Sequence, residues 1–310
     1  MTDLTSLDGT PISSLCFGTM QFGGTADETA SRGMYDDCRA AGVNFFDTAH
    51  VYTGGASETM LGAMVAPERD RVVVATKAAY GGGASRQNIL DSLDESRRRL
   101  DLDVIDILYM HRWDGGTPLE ETFETLARLQ SDGTVRHLGV SNYAAWQVMK
   151  AQGVAAALGT RIAIMQPMYN LVKRQAEVEL LPMALDQGIA VAPYSPLGGG
   201  LLTGKYADGG EGRIRSDERY AARYGQDWMH ETATALGALA RERGVDPATL
   251  AVAWAMRQPG VSAPIISARS PEQLVPSLAA AAFEMDDALR DRITALSRAP
   301  APATDRLEEA

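Results

Sequence analysis

Eight short β-rich runs, separated by helix-like stretches, set the tightest limit on what this chain can fold into. The runs begin near Ser14 (SSLCFG), Val43 (VNFFD), Val72 (VVVATK), Val104 (VIDILYMH), Val135 (VRHLGVS), Arg161 (RIAIMQ), Ile189 (IAVAPYS) and Val261 (VSAPIIS). Short apolar runs rich in Val and Ile read as buried strands, and their alternation with helical stretches reads as βα units of a parallel sheet. Helix starts are marked too. Ser85 precedes RQNILDSLDESRRRL, Thr117 precedes Pro118 with Glu120 and Glu121 behind it, and Asp246 precedes Pro247. Ser270 and Gln273 spell a capping box, while Gly42, Gly133 and Gly188 fall where helix ends want positive φ. Eight such units of roughly thirty residues predict a (β/α)8 TIM barrel. A doubly wound sheet would need a G-x-G-x-x-G turn opening a helix, and GGTADETASRG at 23–33 does not open one that way.

A barrel commonly uses 310 residues as one domain, so residues 1–310 are expected to form a single domain. Before the first run, LTSLDGTPISS predicts an N-terminal β-hairpin turned at Asp8-Gly9, placed to plug the bottom of the barrel. The rhythm breaks after the seventh strand. Residues 195–230, rich in Gly, Arg and Tyr, predict a long βα loop on the face where barrels bind ligands. The net charge of −11 argues against a nucleic-acid partner and obliges any phosphate-bearing ligand to find local cations. Cys16 and Cys38 give no disulfide framework or zinc spacing, and the four histidines are scattered, so no metal is expected. The polar start MTDLTSLDGT and the lack of any apolar run near ~20 residues point away from export and membranes, towards the cytoplasm. Oligomeric state is left open.

Function is written where the strands stop. NFFD ends in Asp47, VVVATK in Lys77 and VIDILYMH in His111, with Tyr52 a short loop beyond Asp47. Neighbouring strands lie about 4.8 Å apart, so these ends would gather within roughly 5–10 Å. Taken singly, each has a plain structural use: a turn cap, a solvated lysine, a histidine paired with a loop carbonyl. Together they make a proton relay. Tyrosine is a poor acid at neutral pH; a nearby ammonium favours tyrosinate, and a carboxylate holds the ammonium in place. Tyr52 would exchange the proton, Lys77 tune it, Asp47 anchor Lys77, and His111 orient a carbonyl or share the proton. A proton donor beside a carbonyl is half of a reduction; the hydride must come from a cofactor.

The chain resembles the aldo-keto reductases from about Ser14 to Ser297. The motifs are NFFDTAHVYTGGASETMLG at 44–62, VVVATK at 72–77, IDILYMHRWD at 105–114, GTVRHLGVSNY at 133–143, MQPMYNL at 165–171, PYSPLGGGLLTGKY at 193–206 and SARSPEQL at 267–274. The resemblance implies a catalytic tetrad of Asp47, Tyr52, Lys77 and His111, with Tyr52 as general acid and a nicotinamide cofactor as hydride source. It implies that Ser141, Asn142 and Gln166 bind the nicotinamide amide, that Tyr194 stacks on the ring, and that Gly18, Thr19, Met20 and Asp47 lie near the ribose. Ser195, Leu197, Gly199 and Lys205 would embrace the pyrophosphate. Ser267, Arg269 and Gln273 would form the far end, where an arginine at a helix N-terminus suits the 2′-phosphate of NADP(H). Three positions depart from the family's pattern: Ser267 for glycine, Ser277 for asparagine or glutamate, and His50 for an acidic residue.

Candidates for the substrate pocket are Phe22, Tyr80 and Trp113, with Tyr143 and Trp228 behind them. The leading expectation is NADPH-dependent reduction of a small carbonyl compound. Two alternatives stand beside it: a Schiff-base aldolase using Lys77, and a cofactor-binding regulatory subunit with little turnover, since the family includes channel-associated β subunits.

Overall fold

Alternation along the strands sorts the residues between two faces of one sheet. The computed structural model describes residues 4–206, 209–210, 212–304, 306 and 308. Its strands are β1 (Cys16–Gly18), β2 (Phe45–Asp47), β3 (Val73–Ala78), β4 (Ile105–Met110), β5 (Val135–Ser141), β6 (Ile162–Gln166), β7 (Ala190–Val191) and β8 (Ile265–Ile266). They pair in parallel in the order β7-β6-β5-β4-β3-β2-β1-β8. The N–H groups of Ser262 and Ile265 donate to the carbonyls of Val191 and Pro193, each at 2.8 Å, and so close the ring between β7 and β8. This is the expected (β/α)8 barrel. β7 and β8 are much shorter than the apolar runs that announced them.

Side chains alternate across a strand, so every second residue enters the barrel. Cys16, Phe45, Val73, Ala75, Ile107, Tyr109 and Ile164 pack together inside it. Their neighbours Phe17, Phe46, Val74, Leu108 and Met110 pack in the larger core shared with the helices. Two residues further along the inward rows stand Asp47 above Phe45, Lys77 above Ala75, and His111 above Tyr109. The polar residues at the strand ends are therefore the top layer of the same inward rows that fill the barrel. A glycine makes room for one member of that stack. A Cβ on Gly139 would fall 2.5 Å from Tyr109 Cδ1.

Outside the sheet run α1 (Glu28–Ala40), α2 (Ala56–Val65), α3 (Arg86–Leu100), α4 (Leu119–Ser131), α5 (Ala145–Ala157) and α6 (Leu180–Gln187). After β7 the chain passes through α7 (Arg213–Ser216), α8 (Glu218–Tyr224), α9 (Asp227–Arg243) and α10 (Pro247–Met256), and β8 is followed by α11 (Pro271–Ala279) and α12 (Asp287–Thr294). The long loop after β7 is thus partly helical. Ser85, Asp246 and Ser270 accept from backbone N–H groups as N-caps, and Gly188 ends α6 at φ 60°. Thr117 does not cap α4: Pro118 holds that position, and the Thr117 hydroxyl donates to Asp114 at 2.6 Å. Asp114 also accepts from the N–H groups of Ala84 and Gly116. At α11 the capping box is displaced by one residue, with Gln273 accepting from the N–H of Arg269.

The N-terminal hairpin is reduced to one antiparallel bridge, Thr5 to Pro11, turned through Gly9 at φ 88°. Pro11 has no N–H with which to extend a ladder. Leu4 and Ile12 nevertheless join the inner cluster beside Cys16, Phe45 and Val73, and so close the bottom of the barrel. Among the described residues no helix is long and apolar enough to cross a membrane.

Candidate active site

Lys77 holds the centre of the strand-end layer. Its ammonium donates to Asp47 Oδ1 at 2.5 Å, to the Thr48 carbonyl at 2.8 Å and to the Tyr52 hydroxyl at 3.3 Å. Gln166 donates to the other Asp47 oxygen at 2.9 Å. Lys77 is 1% exposed and Asp47 3%, so neither ion can be shared with bulk water. Burial works against charge on Lys77, but Asp47 and Tyr52 together outweigh it and raise the lysine's pKa. A lysine held as ammonium by three oxygens is not poised to attack a carbonyl, which argues against the Schiff-base reading.

Tyr52 begins a 3-10 turn, Tyr52–Gly55, pinned by its N–H to the Ala49 carbonyl at 3.0 Å and by the Thr53 hydroxyl to the Phe22 carbonyl at 2.8 Å. The net effect on its phenol differs from the expectation that Lys77 lowers its pKa. Burial raises the Tyr52 pKa, and the lysine offsets only part of that rise. Tyr52 is therefore a phenol with an ammonium beside it, ready to receive the charge when the proton leaves. His111 faces it, with ring centroids 6.0 Å apart. Burial first, then Lys77 and Arg112, pushes the His111 pKa down to about 3, and its buried Nδ1 has no hydrogen-bond partner. The imidazole is neutral.

These groups form the floor of a cleft of about 920 Å³. Gly18, Met20, Ser141, Asn142, Gln166, Tyr194, Ser195, Leu197, Gly199, Lys205, Ser267, Arg269 and Gln273 all line it, as does Tyr80. A Cβ on Gly18 would meet Ile265 Cγ2 at 2.8 Å, so glycine is what lets β1 and β8 approach this closely at the floor. Asn142 ties the rim together: its amide donates to the His111 carbonyl at 3.0 Å and accepts from the Tyr194 hydroxyl at 2.8 Å. Ala79, Asn142 and Ser195 hold positive φ without being glycine, and all three sit just past strand ends at this face. Such backbone is kept only where the surroundings enforce it, and it gathers at functional sites.

Several candidates lie elsewhere. Thr19 is wholly buried beneath the cleft and donates to the Asp47 carbonyl at 3.2 Å. Phe22 is fully buried against Phe17 in the core. Trp113 packs edge-on against Tyr143 and Trp146 rather than lining the cleft, and Trp228 lies on a separate shallow surface pocket with Arg298. Ser277 is buried with an unpartnered hydroxyl, and Pro276 lines the cleft in its place. His50 turns away from Tyr52 and pairs with Glu95 at 2.7 Å.

Other lining residues carried no signal in a strand pattern: Gln21, Arg112, Thr203, Tyr220, Arg223 and Asp246. Tyr220 and Arg223 arrive on α8, which lies against the glycine-rich turn after β7. A Cβ on Gly199, at φ 65°, would come within 2.8 Å of Tyr220 Cδ1. GGGLL announces such a close approach, but not which aromatic fills it.

The Aldo/keto reductase family matches the chain over residues 14–298. Similar proteins include a probable voltage-gated potassium channel subunit beta of Oryza sativa subsp. japonica, 36% identical over 292 residues and 88% of each chain. Another of the same description, from Arabidopsis thaliana, is 35% identical over 286 residues and 86% of each chain. An uncharacterized oxidoreductase of Bacillus subtilis (strain 168), YrpG, is 34% identical over 300 residues and 90% of each chain. With a family match across nearly all of the barrel, this chain belongs to the aldo/keto reductase family.

Proposed function

We propose that the protein reduces an aldehyde or ketone to the alcohol with NADPH, reversibly, and that Tyr52 delivers the proton. The observation that carries this reading is the buried Asp47–Lys77–Tyr52 chain at the floor of the cleft. A phenol whose ammonium neighbour is held in place by a carboxylate can give up its proton to a forming alkoxide and keep the resulting tyrosinate stabilised. His111, neutral and facing Tyr52, orients the carbonyl oxygen between the two rings. Bound along the cleft, the nicotinamide cofactor supplies the hydride.

The residues of the cleft fit such a group. Ser141, Asn142, Gln166 and Tyr194 offer polar groups and a ring near Asp47, with Gly18 and Met20 lining the same cleft. Ser195, Leu197, Gly199 and Lys205 would hold the pyrophosphate, with Ser267, Arg269 and Gln273 beyond. Arg269 is exposed beside the N-terminus of α11, where its guanidinium and the positive end of the helix together suit a 2′-phosphate; this favours NADPH over NADH. Aldehyde-dependent oxidation of NADPH across a panel that includes 4-nitrobenzaldehyde tests the reading.

A second reading rests on the rice and Arabidopsis relatives described as probable channel β subunits. In it, the chain binds NADPH as a regulatory partner. Tight NADPH binding without turnover of any aldehyde in the panel would favour it.

A further inference from the structure

Two of the cleft's cations lie outside the residues read above as the cofactor's seat, in a protein whose net charge is −11. Among the described residues Arg112, Lys205, Arg223 and Arg269 line it, against two carboxylates, Asp47 and Asp246. Both carboxylates are engaged. Asp47 binds Lys77 and Gln166, and Asp246 accepts from the N–H of Ala248 at 2.7 Å as the cap of α10. Lys205 and Arg269 belong to the part of the cleft read above as the seat of the cofactor's phosphates. Arg112 and Arg223 are left over.

Arg112 stands at the reacting end, and after burial Arg223 is the largest influence on the Tyr194 hydroxyl. Arg112 follows His111 directly, and its guanidinium lies 5.0 Å from the Tyr80 ring, which is itself 4.8 Å from the His111 ring. Arg223 projects from α8 and lies 5.4 Å from the Tyr220 ring, another wall of the cleft. Among the described residues neither guanidinium has a carboxylate within ion-pair distance; each rests on an aromatic face. Cation–π contact orients a guanidinium without cancelling its charge, and leaves its N–H fork free for a planar anion. The field of Arg112 already reaches the site, since after burial and Lys77 it contributes to the low pKa of His111. The acid, the carbonyl-orienting ring and two unneutralised arginines share one open space.

We propose that the carbonyl substrate carries an anionic group, a carboxylate or a phosphate ester, received by Arg112 and Arg223 while its carbonyl lies against Tyr52 and His111. This rests on the carbonyl-reductase reading and narrows it to a substrate class. Arg112 and Arg223 set specificity by charge; Tyr80 and Tyr220 hold them in place and supply the apolar walls.

The test uses the whole protein with 4-carboxybenzaldehyde, 4-formylphenyl phosphate and the neutral methyl 4-formylbenzoate. The expected result is a kcat/KM for at least one anion about tenfold or more above the neutral ester, falling as ionic strength rises. Whichever anion leads identifies the group. In Arg112→Ala and Arg223→Ala the anion-to-neutral ratio should fall several-fold each, through KM rather than kcat, with NADPH binding retained. A second arm needs no turnover: binding of 4-carboxybenzyl alcohol and its methyl ester, followed by tryptophan fluorescence, should show the same preference and the same loss. Equal handling of anion and neutral ester by wild type in both arms overturns the substrate class while leaving the reductase reading intact. Loss of NADPH affinity in Arg223→Ala equal to the loss of anion affinity also overturns it, by giving that arginine to the cofactor. If no aldehyde is turned over, the reductase reading fails, and the binding arm alone decides the anion preference.

Discussion

Lys77 and Asp47 meet at 2.5 Å with both side chains withdrawn from water, on adjacent strands whose inward rows otherwise hold Val, Ala and Phe. A buried pair is costly to assemble and costlier to break, because removing one partner strands the other's charge. Lys77→Met should therefore destabilise the fold by about 3–5 kcal/mol, whereas Asp47→Leu combined with Lys77→Met should recover most of that loss. Urea denaturation of the wild type, both single variants and the double variant closes the cycle. Simple additivity of the two losses would contradict it.

His111 should make the fold sensitive to acid. Its pKa is about 3 in the folded protein against an ordinary value of 6.5. Between these, the unfolded chain binds a proton that the folded one refuses, so stability falls as pH drops through the window and is fully present above it. Midpoints of thermal unfolding should decline on acidification from roughly pH 7 to pH 4, and His111→Asn should flatten that slope. Identical slopes would show that other groups carry the effect.

Arg269 should choose between the two nicotinamide cofactors. Its replacement by methionine is expected to weaken NADPH by roughly tenfold or more while changing NADH little, since only the 2′-phosphate distinguishes them. Intrinsic tryptophan fluorescence, titrated with each cofactor, reads both affinities directly.

Tyr80 and Trp113 separate what lines the cleft from what supports it. Tyr80 is 48% exposed at the cleft wall, and Trp113 is packed against Tyr143 and Trp146. Tyr80→Ala should raise KM for aromatic aldehydes several-fold with little change in stability. Trp113→Ala should do the reverse, costing about 1–3 kcal/mol of stability.

The difference between those two residues marks how far the sequence could be read. The inward rows were legible because alternation is a local property: NFFD and VVVATK state which residues face in and which polar group comes last. The family motifs extended that reading around the rim to Asn142, Gln166 and Tyr194. Phe22 and Trp113 were misplaced because an aromatic just past a strand end can turn towards the ligand face or fold back under the loop, and only tertiary packing decides. Tyr220 and Arg223 were hidden for a related reason. They sit on a short helix within the excursion after β7, and no periodicity encodes where that excursion lands. Thr117 failed as a cap because α4 starts one residue later, with Pro118 at the cap position and the Thr117 hydroxyl tied to Asp114.

Proton transfer from Tyr52 to a carbonyl, in a cleft proposed to hold NADPH, is a step that one substitution isolates. It is tested most directly by Tyr52→Phe, which removes the hydroxyl 3.3 Å from Lys77 and keeps the ring. NADPH affinity, followed by fluorescence, should stay within about twofold of wild type, while kcat for 4-nitrobenzaldehyde should fall by roughly 10²–10⁴. Turnover by Tyr52→Phe at the wild-type rate would contradict the account.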